Sequence, residues 1–104
     1  MAEPFDIRRE TLGAGARYIT DVDGVASVLE FYDRQTPDGT VRVMSSTRVP
    51  KQLSGRGVGL ALVRRAVADA REEGVAVDPR CSFVRVMIDR NKDLQDINLK
   101  EERT

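Results

Sequence analysis

The sequence predicts an α+β fold in which a mostly antiparallel sheet packs against two helices. Two tight turns join strand-like segments in the first half of the chain, and the hydrophobic period then changes from two to about 3.6 residues, as in a helix. A second, shorter helical segment follows. The 104 residues suit one domain, spanning residues 1–104, and we expect a packed core over about 5–94 and a flexible tail over 95–104.

Alternating apolar residues and turn signals predict the strands. The segments are residues 5–11, 17–22, 25–32 and 40–49. Asp23-Gly24 favours a type I′ hairpin turn, because both residues tolerate positive φ. Residues 36–39 form a second turn signal, and Pro50 ends the fourth segment because it has no N–H for a sheet ladder.

A run of apolar residues at spacings of three and four predicts the first helix. The run begins at Val58 and continues to Ala70, and Gly74 supplies the left-handed position that ends a helix. Residues 75–77 are predicted to form a short buried strand, and residues 82–90 a second helix.

The composition excludes several classes of function. Lys and Arg together number 17, as do Asp and Glu, so the basic excess of a nucleic-acid-binding protein is missing. No apolar run could span a bilayer and the N-terminus does not resemble a secretory signal, so we expect no membrane association. One cysteine suits the reducing cytoplasm, and we expect a monomer, with a weak dimer as the alternative.

The chain has no histidine, which restricts its chemistry. A Ser-His-Asp or Cys-His arrangement and a histidine-based zinc site are excluded within one chain. An acid–base step therefore needs a carboxylate, a tyrosine, a lysine, water or the single cysteine, Cys81.

A glycine-rich turn between a strand and a helix predicts an anion site. Gly55, Gly57 and Gly59 allow close approach of a ligand to the backbone, and the free N–H groups of a helix start favour a phosphate. Arg56 adds a charge for the same ligand. The spacing fits neither a Walker A loop nor a Rossmann fingerprint, and from the motif alone a turn without a ligand is an equal alternative.

Four ordered segments together resemble a known family. They are Ser46-Thr-Arg-Val-Pro, the glycine-rich turn with its helix, Ala-Arg-Glu-Glu-Gly74, and Asp-Pro-Arg-Cys81-Ser-Phe-Val. The chain is similar to the compact GNAT-like N-acetyltransferases, of the type represented by N-acetyltransferase domain-containing protein 1. The resemblance covers about residues 17–94.

The resemblance implies a GNAT-like fold, acetyl-CoA as the cofactor and an unidentified amine as the acceptor. The strand ending near Val49 would splay from residues 75–77, with the pantetheine arm of coenzyme A in the gap. Cys81 would lie where the thioester arrives. The implied cofactor-binding residues are Val49, Leu53, Ser54, Gly55, Arg56, Gly57, Val58, Gly59 and Leu60.

This sequence departs from the family pattern near the expected acceptor site. Ser54 replaces the usual Gln or Arg, Ser46 replaces a histidine and Ser82 a proline, Met87 replaces an aromatic residue, and residues 91–94 differ. These departures keep open a non-catalytic acyl-CoA-binding or regulatory module. A structural interaction domain without a ligand is a third alternative.

For the acyl transfer itself, the sequence offers several candidate residues. Backbone N–H groups near Arg48 and Val49 are candidates to polarise the thioester carbonyl, and Glu30 and Asp89 are candidate bases. Cys81 is a nucleophile, a proton relay or a structural thiol. Phe83 and Val84 are predicted to be packing residues.

Overall fold

A computed structural model describes residues 5–100 of the chain. It contains five strands and two α-helices. The strands are β1 (Arg8–Leu12), β2 (Gly15–Val22), β3 (Val25–Thr36), β4 (Gly39–Arg48) and β5 (Ala76–Asp78), and the helices are α1 (Val58–Glu73) and α2 (Ser82–Arg90). The α+β architecture with two helices is therefore confirmed.

The strands form one sheet in chain order, β1-β2-β3-β4-β5. The first three neighbouring pairs are antiparallel, as the tight turns predict. Asp23 and Gly24 have φ of 53° and 76°, which confirms the positive φ that the β2–β3 turn requires. β5 is parallel to β4, because α1 lies between them and returns the chain to the same end of the sheet.

Both helices pack on the same face of the sheet. Tyr18, Leu29 and Met44 of the sheet belong to one buried cluster that also contains Leu62 of α1 and Ile88 of α2. The apolar stripe of α1 runs through the same cluster, as its spacing predicts: Ala61, Leu62, Val63, Ala66, Val67 and Ala70 are all buried. The core therefore lies between one sheet face and the two helices.

The last turn of α1 is held to the sheet by charged side chains. Arg42 of β4 is 1% exposed, and its Nη2 donates to Glu73 Oε1 at 2.9 Å and to Asp33 Oδ2 at 3.0 Å. Arg9 also donates to Glu73, and Phe31 lies under the Arg42 guanidinium, 4.7 Å from ring centroid to Cζ. Burial opposes the charge on Arg42, but the hydrogen bonds to Asp33 and Glu73 outweigh it and raise its pKa.

Two sequence-based boundaries are wrong. β3 runs to Thr36 rather than to residue 32, because its pairing with β4 continues up to the Thr36–Gly39 turn. The flexible tail does not begin at residue 95: Ile97 is buried, and the N–H of Val77 donates to the carbonyl of Asn98 at 2.8 Å. Residues 95–100 therefore pack against β5, and residues 101–104 of the expected tail lie outside the described residues.

In the described part of the chain, neither helix has the length and apolarity needed to cross a membrane.

Candidate functional site

β4 contains a bulge close to the point where its pairing with β5 ends. Glu30 pairs with Ser46 and Phe31 pairs with Met44, so β4 advances two residues while β3 advances one, and Ser45 is the extra residue. A bulge bends its strand and increases the local twist. The parallel ladder with β5 ends at Val43, so the last five residues of β4 are not paired with β5. We refer to this unpaired side of β4 as the gap.

The glycine-rich turn closes one end of this gap. A 3-10 turn at Lys51–Leu53 leads into it, and Gly55 and Gly57 both have φ of +80°. An L side chain at such φ is strained, which accounts for glycine at both positions. α1 begins at Val58, directly after the turn, as predicted.

The first N–H groups of α1 face this region without a protein acceptor. Among residues 5–100, the N–H groups of Val58, Gly59 and Leu60 have no hydrogen-bond acceptor, and the helix bonds begin with Ala61 N–H to Gly57 O at 3.0 Å. Free donors at a helix N-terminus attract an anion, and the helix dipole adds to this effect.

A cavity of about 430 Å³ is lined by the three residues that carry these N–H groups. Its lining residues are Thr47, Val49, Leu53, Ser54, Gly55, Gly57, Val58, Gly59, Leu60, Phe83 and Met87. Eight of the nine residues predicted to bind the cofactor are among them. The structure thus brings together the end of β4, the glycine turn, the start of α1 and one side of α2.

Arg56 is the predicted cofactor residue that does not line the cavity. Its Nη1 donates to Asp23 Oδ2 at 2.6 Å, at the tip of the β2–β3 hairpin. Both side chains are well exposed, so this ion pair contributes little to stability. The glycine turn directs Arg56 toward the hairpin, and sequence spacing alone could not show that.

Phe83 and Met87 line the cavity but were not among the residues that the sequence predicts to bind the cofactor. Phe83 was expected only to pack, but it lines the cavity, as does Met87, whereas Val84 is buried as predicted. A Cβ on Gly59 would lie 2.5 Å from Phe83 Cζ, so glycine there lets α2 approach the start of α1. The spacing of Phe83 and Met87, one helical turn apart, was the available signal.

Cys81 lies beside the cavity and not in its wall. The half-buried thiol donates to Thr47 Oγ1 at 3.6 Å, and Thr47 lines the cavity. The N–H of Cys81 donates to Met44 O at 2.9 Å, which anchors the start of α2 to β4 next to the bulge. Thr47, which sequence reasoning did not single out, therefore separates the thiol from the cavity.

The two candidate bases occupy different places. Glu30 is half-buried and accepts a hydrogen bond from Ser46 Oγ at 3.1 Å, on the strand that borders the gap. Asp89 is exposed near the end of α2 and is not among the cavity-lining residues. Neither carboxylate lines the cavity, and Glu30 differs from Asp89 in that it contacts β4 through Ser46.

The end of β4, its bulge, the glycine turn and the start of α1 together define an α+β domain with a cavity beside its fourth strand. Residues 17–97 match the family model described as GCN5-related N-acetyl-transferase. The chain belongs to the GCN5-related N-acetyl-transferase family. A search of curated proteins gave no match.

Proposed function

We propose that this protein is an N-acetyltransferase that uses acetyl-CoA to acetylate an amine. The observation that carries the proposal is the set of free N–H groups at Val58, Gly59 and Leu60, which open onto the cavity. These donors suit a pyrophosphate, and the apolar side chains of Val49, Phe83 and Met87 suit an uncharged pantetheine arm. The family match supports the same assignment.

The cofactor residues proposed are those that line the cavity, with Arg56 at its rim. Arg56 can exchange Asp23 for a phosphate at little cost, because both side chains of this ion pair are well exposed. The ordered segments around Thr47, the glycine turn and Cys81 support placement in the compact N-acetyltransferase domain-containing protein 1 type.

The free thiol of Cys81 supports a reducing, cytoplasmic setting. A monomer remains our prediction for the oligomeric state.

The decisive experiment is an NMR titration of the whole chain with coenzyme A and acetyl-CoA. We expect the amide signals of residues 53–62 to move together, while those of the β3–β4 turn at residues 36–39 stay in place. The same titration with adenosine tests whether the phosphates are needed. No response at millimolar coenzyme would overturn the proposal.

We further propose that Cys81 is a proton relay acting through Thr47 and not an acetylated nucleophile. The thiol donates to the Thr47 hydroxyl, and that hydroxyl lines the cavity where the coenzyme sulfur would leave as a thiolate. Thr47 can donate to this sulfur while Cys81 donates to Thr47. The relay needs a hydrogen-bond donor at position 81, which serine also supplies.

Cys81 variants separate the relay from a structural role. We expect Cys81→Ala to lower kcat about tenfold with an unchanged KM for acetyl-CoA, and Cys81→Ser to recover most of kcat. The loss is smaller than for a direct general acid, because the Thr47 hydroxyl remains in place. Mass spectrometry after incubation with acetyl-CoA should find no acetyl group on Cys81. An acetylated cysteine, or equal kcat in all three proteins, would contradict the relay.

A non-catalytic acyl-CoA-binding module is the second candidate. The observation that favours it is that the thiol is set back behind Thr47, in a chain that has no histidine. Coenzyme binding without amine acetylation across a panel of primary amines would select this alternative.

A further inference from the structure

A second cavity lies on the sheet where β3 continues past the start of β2. It has a volume of about 390 Å³, and the pairing of β2 with β3 ends at Ala16 and Phe31. Leu12 and Tyr32 line it and are 40% and 41% exposed, high for large apolar side chains of the described residues. Such exposed apolar surface in a concave site favours a ligand with an apolar body.

The charge in this cavity is negative. Two carboxylates, Glu30 and Asp33, line it, and no Lys or Arg does. Asp33 is already bound by Arg42, whereas the described residues give Glu30 only the neutral hydroxyl of Ser46 as a partner. Arg17 of β2 lies opposite Glu30, but its guanidinium binds Glu10. Glu30 is therefore a carboxylate that a cationic ligand group such as a protonated amine can pair with.

Glu30 connects the second cavity to the coenzyme gap. Side chains alternate along a strand, so Glu30 points away from the core face that Leu29 and Phe31 occupy. Its carboxylate lies over β4, 3.1 Å from Ser46 Oγ, and the next residue, Thr47, lines the coenzyme cavity. Coenzyme and amine would thus approach β4 from opposite faces at the Ser45 bulge.

We propose that this second cavity is the acceptor site, and that the acceptor is a primary amine with an apolar or aromatic body. The ammonium group pairs with Glu30, and the body lies against Leu12 and Tyr32. This inference rests on the proposed acetyl transfer and names the acceptor class that the transfer would use.

Glu30 is then a catalytic residue with a defined proton to accept. The ammonium gives one proton to the Glu30 carboxylate, and the nitrogen lone pair forms the C–N bond with the thioester carbonyl carbon. The C–S bond breaks, and its electron pair leaves on the coenzyme sulfur. The nitrogen loses its second proton to water. The coenzyme sulfur gains a proton through Thr47 and Cys81, and Cys81 regains one from water. Glu30 releases its proton to water, so the products are an amide, the coenzyme thiol and one proton.

Binding of a defined probe, without coenzyme, tests the site independently of catalysis. We expect 2-phenylethylamine to shift the amide signals of residues 12–16 and 30–33, and to bind at least tenfold more tightly than 2-phenylethanol, which lacks the charge. It should also bind at least tenfold more tightly than 1,3-diaminopropane, which lacks the apolar body. Equal binding of all three, or shifts confined to other residues, would overturn the proposal.

Two matched variants test the role of Glu30. Glu30→Gln keeps the acceptor for Ser46 and should lose at least tenfold in 2-phenylethylamine affinity, while Glu72→Gln, on the exposed side of α1, should bind like the unaltered protein. With acetyl-CoA present, Glu30→Gln should lower kcat for this amine about a hundredfold. Unchanged amine affinity in Glu30→Gln would contradict the assignment.

The outcomes separate this inference from the proposed function. Coenzyme A titrations of Glu30→Gln should match those of the unaltered protein, because Glu30 does not line the coenzyme cavity. Amine binding without coenzyme binding would overturn acetyl transfer and keep the amine site. Coenzyme binding together with unchanged amine affinity in Glu30→Gln would keep acetyl transfer and overturn the amine site.

Discussion

The two ends of α1 are built for different tasks. At its start, Gly57 at φ +80° leaves three N–H groups without protein acceptors beside an open cavity. At its end, Gly74 at φ +69° closes the helix with N–H bonds to Ala70 O and Arg71 O. Both ends use a left-handed glycine, but the first leaves polar groups free and the second satisfies them.

The charged contacts differ in the same way. Near the end of α1, the buried Arg42 binds both Asp33 and Glu73, whereas at the start Arg56 makes one exposed ion pair with Asp23. A buried cation with fixed partners holds a helix in place, while an exposed pair exchanges readily with solvent or a ligand. The helix is therefore anchored to the sheet at its end, while the N–H groups at its start stay without protein acceptors.

Removing Arg42, which holds the end of α1 to the sheet, should have the largest effect on stability. Arg42→Met removes the buried guanidinium and leaves Asp33 and Glu73 without their shared partner. We expect a loss of about 2–3 kcal/mol in the free energy of unfolding, below the usual cost of breaking a fully buried pair because both carboxylates are partly exposed. Urea denaturation followed by circular dichroism at pH 7 measures it.

The matched control is Arg56→Met at the other end. Removing the exposed Arg56–Asp23 pair should cost less than about 1 kcal/mol but should weaken coenzyme A binding several-fold, because Arg56 is proposed to move to a phosphate. Equal stability losses in Arg42→Met and Arg56→Met would contradict the division between anchor and open end.

Alanine at the two terminal glycines should separate stability from binding. In each case the added Cβ meets no atom within 4 Å, so the cost comes from positive φ alone, about 1 kcal/mol. Gly57→Ala should also raise the Kd for coenzyme A at least fivefold, because the free N–H groups shift, while Gly74→Ala should leave the Kd unchanged. Calorimetric titration of both proteins checks this, and a similar Kd change in both would show that the glycine turn has no special role.

Much of the structure at the start of α1 could be predicted from the sequence, because the sequence signals for it are local. Positive φ at Gly55 and Gly57 follows from the glycine turn, and the start of α1 at Val58 follows from the change of hydrophobic period. Local signals also predict the β2–β3 turn at Asp23-Gly24. In each case the conformation depends on residues that are close together in the chain.

The remaining features depend on contacts between distant residues. The extra residue Ser45 is defined only by its register with β3, and Arg42 carries no sequence signal that it is buried against Phe31. Arg56 turns to Asp23, 33 residues away along the chain, although the motif suggested a ligand contact. Phe83 lines the cavity because Gly59, which has no side chain, lets α2 approach the start of α1.

Acid should weaken the contacts that hold the end of α1 to the sheet, and this is the smallest of the expected effects. The hydrogen bond from Arg9, followed by that from Arg42, lowers the pKa of Glu73 from 4.5 to about 2. A carboxyl group with a lowered folded-state pKa stabilises the fold above its unfolded pKa, and that stability is lost as the pH falls from about 5 toward 2. Glu73→Gln should therefore lose less stability over this range than the unaltered protein.

Because the Glu73 side chain is 37% exposed, solvent screening keeps its share of the acid loss to no more than about 1 kcal/mol. Urea denaturation at pH 7, 5 and 3 measures the difference between the two proteins. Glu72→Gln is the control, since this neighbouring carboxylate makes no ion pair within the described residues and its removal should leave the pH dependence unchanged. If Glu73→Gln and Glu72→Gln show the same pH dependence, the hydrogen bonds from Arg9 and Arg42 do not anchor α1 in solution.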